Sequence, residues 1–242
     1  MTTIPQTYIH HDNKLGLSWL LFKGPDYITE HLARNEFFEA DTISTCIDLL
    51  SKCSPGIVLD IGANLGSFVV PVAKCVEHEF HSFEPQRVIF YQLCSNLLLN
   101  GLDNVRAKNF ALGDQEHTID AVLPHYTDER NIGAFSLDTL VKTHEPTSQG
   151  HTEQIQIKTL DSLGYVNIRL IKLDVEGYEL SVLKGAVDTL KNNHYPPILF
   201  ESWTQFDWWH DRSQELMSFI TGLGYKIHNI SFNNYLALFE ND

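Results

Sequence analysis

Residues Gly56–Lys74 read "GIVLDIGANLGSFVVPVAK". The apolar run Ile57-Val58-Leu59 ends at an acid, Asp60. Two glycines four residues apart, Gly62 and Gly66, follow, and then a helix-like segment with Pro71 near its first turn. A short apolar run closed by glycine reads as a buried strand entering a tight turn. Strand, glycine turn and helix together hold nucleotides, because the turn brings backbone close to the ligand. The open question is which nucleotide.

A phosphate-cradling P-loop needs Lys and Ser/Thr after its glycines, and "GANLGSF" has no Lys there. The dinucleotide fingerprint needs glycine where the backbone meets pyrophosphate, and here Asn64 occupies that position. The pattern D-x-G-x-x-x-G fits a ligand without pyrophosphate, such as S-adenosylmethionine. Turn amides are expected to meet its carboxylate, and Asp60 its ammonium, directly or through water. Glu84 ends a second strand, "FHSFEP", where an acid accepts both ribose hydroxyls. Either adenosine cofactor needs that acid, so Glu84 alone does not choose between them.

Outward from this turn, strands and helices alternate. "RVIFYQLCSNLLLN" is a helix, "VRAKNFALG" a third strand and "IRLIKLD" a fourth. "ELSVLKGAVDTLKNN" is a helix, "PILFESW" a fifth strand, and "SQELMSFITGLG" another helix. "YKIHNIS" and "NYLALFE" make a final hairpin across "FNN". The expected fold is α/β: a Rossmann-like, seven-stranded, mainly parallel sheet with helices on both faces and a C-terminal antiparallel hairpin. That layout is the class I methyltransferase fold. Residues 1–55 are expected to add a helical segment, "ADTISTCIDLLSKC", to the same domain. Residues 56–242 form the core, with a polar insertion at about 114–159 that reads as a binding loop or a disordered segment.

Bulk composition narrows the partners. The chain of 242 residues suits one α/β domain. A net charge of −14 repels phosphate backbones and anionic membranes, so neither nucleic acid nor membrane is expected as a partner. Cys46, Cys53, Cys75 and Cys94 form no CxxC pair and read as reduced, packed thiols of a cytoplasmic protein. The first residues lack the basic and apolar regions of a secretory signal.

"VLDIGANLGSF", "FEPQ", "NFALGD", "TLDSL", "IKLDVEGYELSVLKGA" and "ILFES" occur in that order. Together they resemble the FkbM family of S-adenosylmethionine-dependent methyltransferases, with "DVEGYELSVLKGA" the most specific block. The resemblance runs from about Glu36 to Glu201. It implies methyl transfer to hydroxyl oxygens of sugars, glycans or secondary metabolites. By motif position Asp60, Gly62, Ala63, Asn64 and Gly66 would line the methionine end, and Glu84 with Pro85 the ribose. Asn109, Phe110 and Ala111 would lie near the adenine. Asn131, Gly133 and Ser136 match a pattern in the insertion and would border the cofactor or the acceptor, and Glu39 falls where an acid precedes the first motif, to touch the cofactor or to start the helix.

A hydroxyl acceptor needs a base as the new bond forms. Asp174, Glu176 and Glu201 stand at the ends of strands four and five, where open α/β sheets bind ligands. Asp174 could contact acceptor or cofactor, and Glu176 could equally cap the following helix. The residues do not choose among the three, and His125, His144 or His151 of the insertion are further candidates. Trp203, Phe206, Trp208 and Trp209 offer aromatic faces for an acceptor ring or packing under the last helix. No His/Cys spacing suggests zinc, and no metal is expected. Strand four lacks the Asp/Asn-Pro-Pro-aromatic motif of amino-methylating enzymes on nucleic acids. A methyltransferase for another small-molecule or protein acceptor, a dinucleotide oxidoreductase and a non-catalytic scaffold are the alternatives.

Overall fold

The computed structural model describes residues 4–127, 132–133, 135–144 and 150–239. In chain order the elements are β1 (Thr7–Asp12), β2 (Leu17–Phe22), α1 (Tyr27–Ala33), α2 (Ala40–Ser51), β3 (Ile57–Ile61), α3 (Val69–Cys75), β4 (Glu79–Phe83), α4 (Arg87–Leu99), β5 (Val105–Lys108), β6 (Ala111–Leu112), β7 (His117–Leu123), α5 (Thr139–His144), β8 (His151–Lys158), β9 (Ile168–Leu173), α6 (Glu179–Lys184), α7 (Val187–Asn192), β10 (Ile198–Glu201), α8 (His210–Gly222), β11 (Tyr225–Ser231) and β12 (Asn234–Phe239).

Seven strands form the main sheet in the order β11-β12-β10-β9-β3-β4-β5. The five from β10 to β5 run parallel, and β12 pairs antiparallel with both β10 and β11. This is the class I methyltransferase sheet. The chain winds outward from β3 to β5 and returns on the other side at β9, so a crevice opens at the carboxyl ends of β3 and β9. Period-two alternation divides the core between the sheet's faces. Val58 joins a cluster with Ile43, Val69 and Leu93, while Leu59 and Ile61 join Leu183, Leu190 and Ile220.

Three regions depart from the expected pattern. "VRAKNFALG" is not one strand: β5 stays in the main sheet, and β6 leaves it for a second sheet of order β6-β8-β7. Asn109 fixes the bend, its Nδ2 donating to Glu84 O at 2.8 Å and Pro85 O at 3.1 Å. Much of the insertion is therefore folded, with Ala121, Leu123, Ile155 and Ile157 buried together against Phe135. The expected helix after "DVEG" breaks into α6 and α7. Gly185 stands at the break, where a Cβ would lie 2.0 Å from Gly113 O. Of the cysteines, only Cys46 is buried; Cys53 and Cys75 are exposed. No helix among the described residues is long and apolar enough to cross a membrane.

The third departure is the N-terminal region, which adds the hairpin β1–β2 and α1 to the expected α2. Trp19 and Leu21 of β2 are buried against α4. The free edge of β2 is met by side chains rather than by a strand. Gln92, Asn96 and Asn100 lie four apart, on one face of α4 and its C-cap. Gln92 Nε2 donates to Leu20 O at 2.9 Å, and Asn96 Oδ1 accepts from Leu20 N–H at 2.6 Å. Asn100 both accepts from Ser18 N–H and donates to Ser18 O. Asn96 Nδ2 also donates to Leu65 O at 2.8 Å, which ties the hairpin to the glycine turn. Asn96→Ala leaves buried backbone groups unpaired at both ends, at a cost on the order of 3 kcal/mol. Urea denaturation of the variant measures that loss.

Candidate active site

A cavity of about 350 Å³ lies at the carboxyl ends of the parallel strands. Its walls are the glycine turn, the start of α3, the loops after β4, β9 and β10, β6, part of the insertion, and residues of α1 and the α2 N-terminus.

The turn is bonded internally. Gly62 and Ala63 N–H donate to Phe83 O, at 3.0 and 2.9 Å. Asn64 N–H donates to Glu84 Oε2 at 3.0 Å, and Leu65 N–H to Asn64 Oδ1 at 2.7 Å. Gly66 N–H donates to Ala63 O. These five amides all have partners within the protein, the Asn64 amide on the Glu84 carboxylate. Gly62 lines the cavity at φ +86, and a Cβ there would lie 1.7 Å from Asp174 O. Gly66 lines no part of it; it lets α3 approach Leu93. Ala63, Asn64 and Ser67 do face the cavity.

Glu84 and Pro85 line the cavity. Glu84 accepts from Asn64 N–H and, at 2.8 Å, from Gln86 N–H. Burial pushes its carboxyl up to about 8, against those two amide bonds. Phe110 and Ala111 line the cavity, Phe110 edge-on to Phe83 at 5.5 Å. Asn109 does not, since its side chain is held by the bend at Glu84 and Pro85.

Asp60 is fully buried behind the wall and does not line the cavity. Its Oδ2 accepts a 3.4 Å bond from Ser82, and its Oδ1 has no hydrogen-bond partner. Burial first, with Asp174 adding and Lys172 opposing, raises its carboxyl to about 6. The group that reaches the cavity is Lys172, a residue not singled out from the sequence. Lys172 Nζ lies 2.9 Å from Asp174 Oδ2, 3.9 Å from Asp60 Oδ1 and 5.5 Å from the centre of the Phe68 ring. Burial alone lowers its pKa; Asp174, Asp60 and Glu39 reverse that and hold it above the usual lysine range. A lysine inside the apolar strand "IRLIKLD" was the available signal.

Asp174, Glu176, Glu201 and Glu39 all line the cavity. Burial, then Asp174, Glu176, Glu179 and Glu39, push Glu201 well above the usual carboxylate range. Burial and Asp174 likewise raise Glu39. The loop "DVEG" is shaped by Glu179, whose Oε1 accepts from Val175 and Gly177 N–H at 3.0 and 3.2 Å. Burial raises Glu179 to about 7. Glu39, Asn64 and Glu176 are non-glycine residues in the left-handed region, with φ of 55, 51 and 54. All three line the cavity, and such strain costs about 1–3 kcal/mol per residue. Among the described residues no three His, Cys, Asp or Glu side chains are grouped as a metal requires.

Of the aromatic run, Trp203 and Phe206 line the cavity. Trp209 is buried against Val141 and Gly177, and Trp208 stacks on His144 at 4.5 Å. None of His125, His144 and His151 lines the cavity. From the insertion, Gly133 packs against Asn64, and Gln86 Nε2 donates to Ile132 O at 3.2 Å. Ser136 is buried and accepts from Asp138 N–H. Asn131 lies outside the described residues.

The sequence pattern of the Methyltransferase FkbM domain matches residues 60–227. "Methyltransferase 1" of Beauveria bassiana (strain ARSEF 2860) is 26% identical over 160 residues, covering 60% of this chain and 64% of that protein. "Methyltransferase sdnD" of Sordaria araneosa is 28% identical over 174 residues, covering 58% of this chain and 64% of that protein. The matched part thus spans less than two thirds of either relative. Among solved structures, precorrin-6y C5,15-methyltransferase from Geobacter metallireducens GS-15 aligns with a TM-score of 0.48 at 12% identity. That alignment covers 82% of this chain and 87% of that one. A likeness of that size adds nothing to the strand order given above.

Two outcomes follow from the buried charges. Lys172→Met leaves Asp60 and Asp174 without their cation and is expected to cost about 3 kcal/mol at pH 7.5. The loss is smaller at pH 5.5, where Asp60 takes up a proton; denaturant melts at the two pH values read the difference. Glu84 and Glu179 have folded-state values raised above the unfolded ones, so their stabilising contribution is present at low pH and lost as pH rises through about 7 to 8. Between pH 6.5 and 8.5 the wild type is expected to lose on the order of 2 kcal/mol through Glu84. Equal midpoints at the two values, or an equal loss in Glu84→Gln, would refute it.

Proposed function

The chain belongs to the FkbM family of S-adenosylmethionine-dependent methyltransferases, and we propose that it methylates a hydroxyl of a small molecule or glycan in the cavity described above. The observation that carries this is the charge of the cavity wall. Five carboxyl groups, Glu39, Glu84, Asp174, Glu176 and Glu201, line it against one lysine among the described residues, and their crowding with burial raises Glu39, Glu84 and Glu201, a strain that a bound cation relieves. Such a wall favours a cation, and S-adenosylmethionine is a sulfonium that supplies an electrophilic methyl. The remaining lining residues fit its other parts. Glu84 offers its free lone pairs to the ribose, Phe83 and Phe110 flank the adenine, and Lys172 receives the carboxylate.

Glu201 is the base in this reading. It ends β10 on the cavity wall, and burial with its acidic neighbours raises its carboxyl well above the usual carboxylate range, which makes its carboxylate a stronger base than an ordinary glutamate. Trp203 and Phe206 present apolar faces beside it and exclude water. The proton of the acceptor hydroxyl passes to the Glu201 carboxylate as the new O–C bond forms.

The test is calorimetry with S-adenosylhomocysteine and NAD, beside labelled methyl transfer. The first is expected to bind and NAD not, with Glu84→Ala weakening binding at least tenfold. Glu201→Gln is expected to keep that affinity and lower kcat by about 10²- to 10⁴-fold. Binding of NAD, or of neither ligand, removes the reading.

A further inference from the structure

We propose that the acceptor half of the cavity admits uncharged or cationic hydroxyl compounds and refuses carboxylated and phosphorylated ones, with Glu39 and Glu201 making the selection and Asn234 holding them in place. This rests on the function proposed above and specifies its substrate class.

The geometry begins at the last strand pair. Asn234 is the register partner of Glu201 between β12 and β10. Residues directly opposite in an antiparallel pair put their side chains on one face of the sheet. From there Asn234 Nδ2 donates to Glu39 Oε1 at 2.9 Å. Glu39 occupies the N-cap of α2, yet its side chain makes no cap bond to that helix, and its backbone is left-handed. Its carboxylate is thus turned from the helix toward the cavity and fixed there by the residue opposite Glu201.

The chain after β9 brings Asp174 and Glu176, and α6 brings Glu179. Lys172 is engaged by Asp174 and Asp60, and no second lysine or arginine lines the cavity among the described residues. An anionic acceptor would enter beside Glu39, Asp174 and Glu201, with Lys172 already held by its two aspartates and, in the reading above, by the cofactor's carboxylate. A proton, an ammonium or a neutral hydroxyl relieves the repulsion among those acids. Tyr27, Phe38, Trp203 and Phe206 also line the cavity, with ring faces that suit uncharged surfaces.

The experiment uses the full chain saturated with S-adenosylhomocysteine and reads ligand binding by saturation-transfer NMR, which needs no turnover. Two matched probe sets are used. One is methyl glucoside, methyl glucosaminide and methyl glucuronide; the other is tyrosol, tyramine and 4-hydroxyphenylacetate. In at least one set, the neutral and amino members are expected to bind at least tenfold better than the acid. The double variant E39Q/E201Q is expected to shrink that ratio at least tenfold, and Asn234→Ala to shrink it less, each measured with S-adenosylhomocysteine at saturation for that variant. Loss of fold would abolish all signals and would not alter the ratio selectively. Acids binding as well as neutral members, no binding by any member, or an unchanged ratio in E39Q/E201Q overturns the proposal. If calorimetry shows no S-adenosylhomocysteine binding, the function reading itself fails; if it binds and acids are accepted, only this inference does.

Discussion

The ion pair between Lys172 and Asp174, backed by Asp60, is the constraint around which the site is arranged. An ammonium buried on a central parallel strand cannot be left without partners, because desolvation would cost several kcal/mol. Asp60 on the neighbouring strand β3 supplies one partner from behind, and Asp174 at the end of β9 supplies the other. With Asp174 held at the strand end, the chain must leave β9 at that point. Glu179 binds the amides of Val175 and Gly177 and turns the loop back into α6. Gly62 is required for the same reason, since only a residue without Cβ allows the first turn to pass Asp174 O. The charge pair and the close approach of the two loops are one arrangement.

The elements most legible in the sequence were those whose physics is local. Parallel strands read as apolar runs, and helices α2, α4 and α8 by their spacing. The "FNN" hairpin followed from loop length. The hairpin β1–β2 was not legible, because its free edge is satisfied by three amide side chains 72 to 82 residues away. In the sequence Gln92, Asn96 and Asn100 look like ordinary polar positions of an amphipathic helix. The split of "VRAKNFALG" has a similar cause: Asn109 binds backbone of the preceding loop rather than its own strand.

At the site, the residue types were readable and their orientation was not. Glu84, Asp174, Glu176 and Glu201 stand on the cavity wall at strand ends or in the loops that follow, where the alternation put them. Asp60 and Gly66 carry motif positions yet face inward, one toward Lys172 and one toward Leu93. Strand parity and helix packing decide that, and a motif records only the residue. Lys172 was overlooked since a lysine near a strand end ordinarily reaches solvent. The left-handed backbones of Glu39, Asn64 and Glu176 leave no trace in composition, because strain of that kind is imposed by surrounding structure.

The bond from Asn234 to Glu39 joins residues 195 apart in sequence. A contact of that span adds stability only once a long loop has been closed. The hairpin that carries Asn234 also lies at one edge of the sheet, with β11 as its outermost strand. Edge elements open more readily than the centre of a domain. Local opening of β11–β12 would free Glu39 from Asn234 without breaking a bond between β3, β4 and β9. The two sides of the cavity thus rest on different supports: the turn, β4 and Glu201 belong to the parallel strands at the centre of the sheet, whereas the placing of the Glu39 carboxylate depends on the docking of the final hairpin.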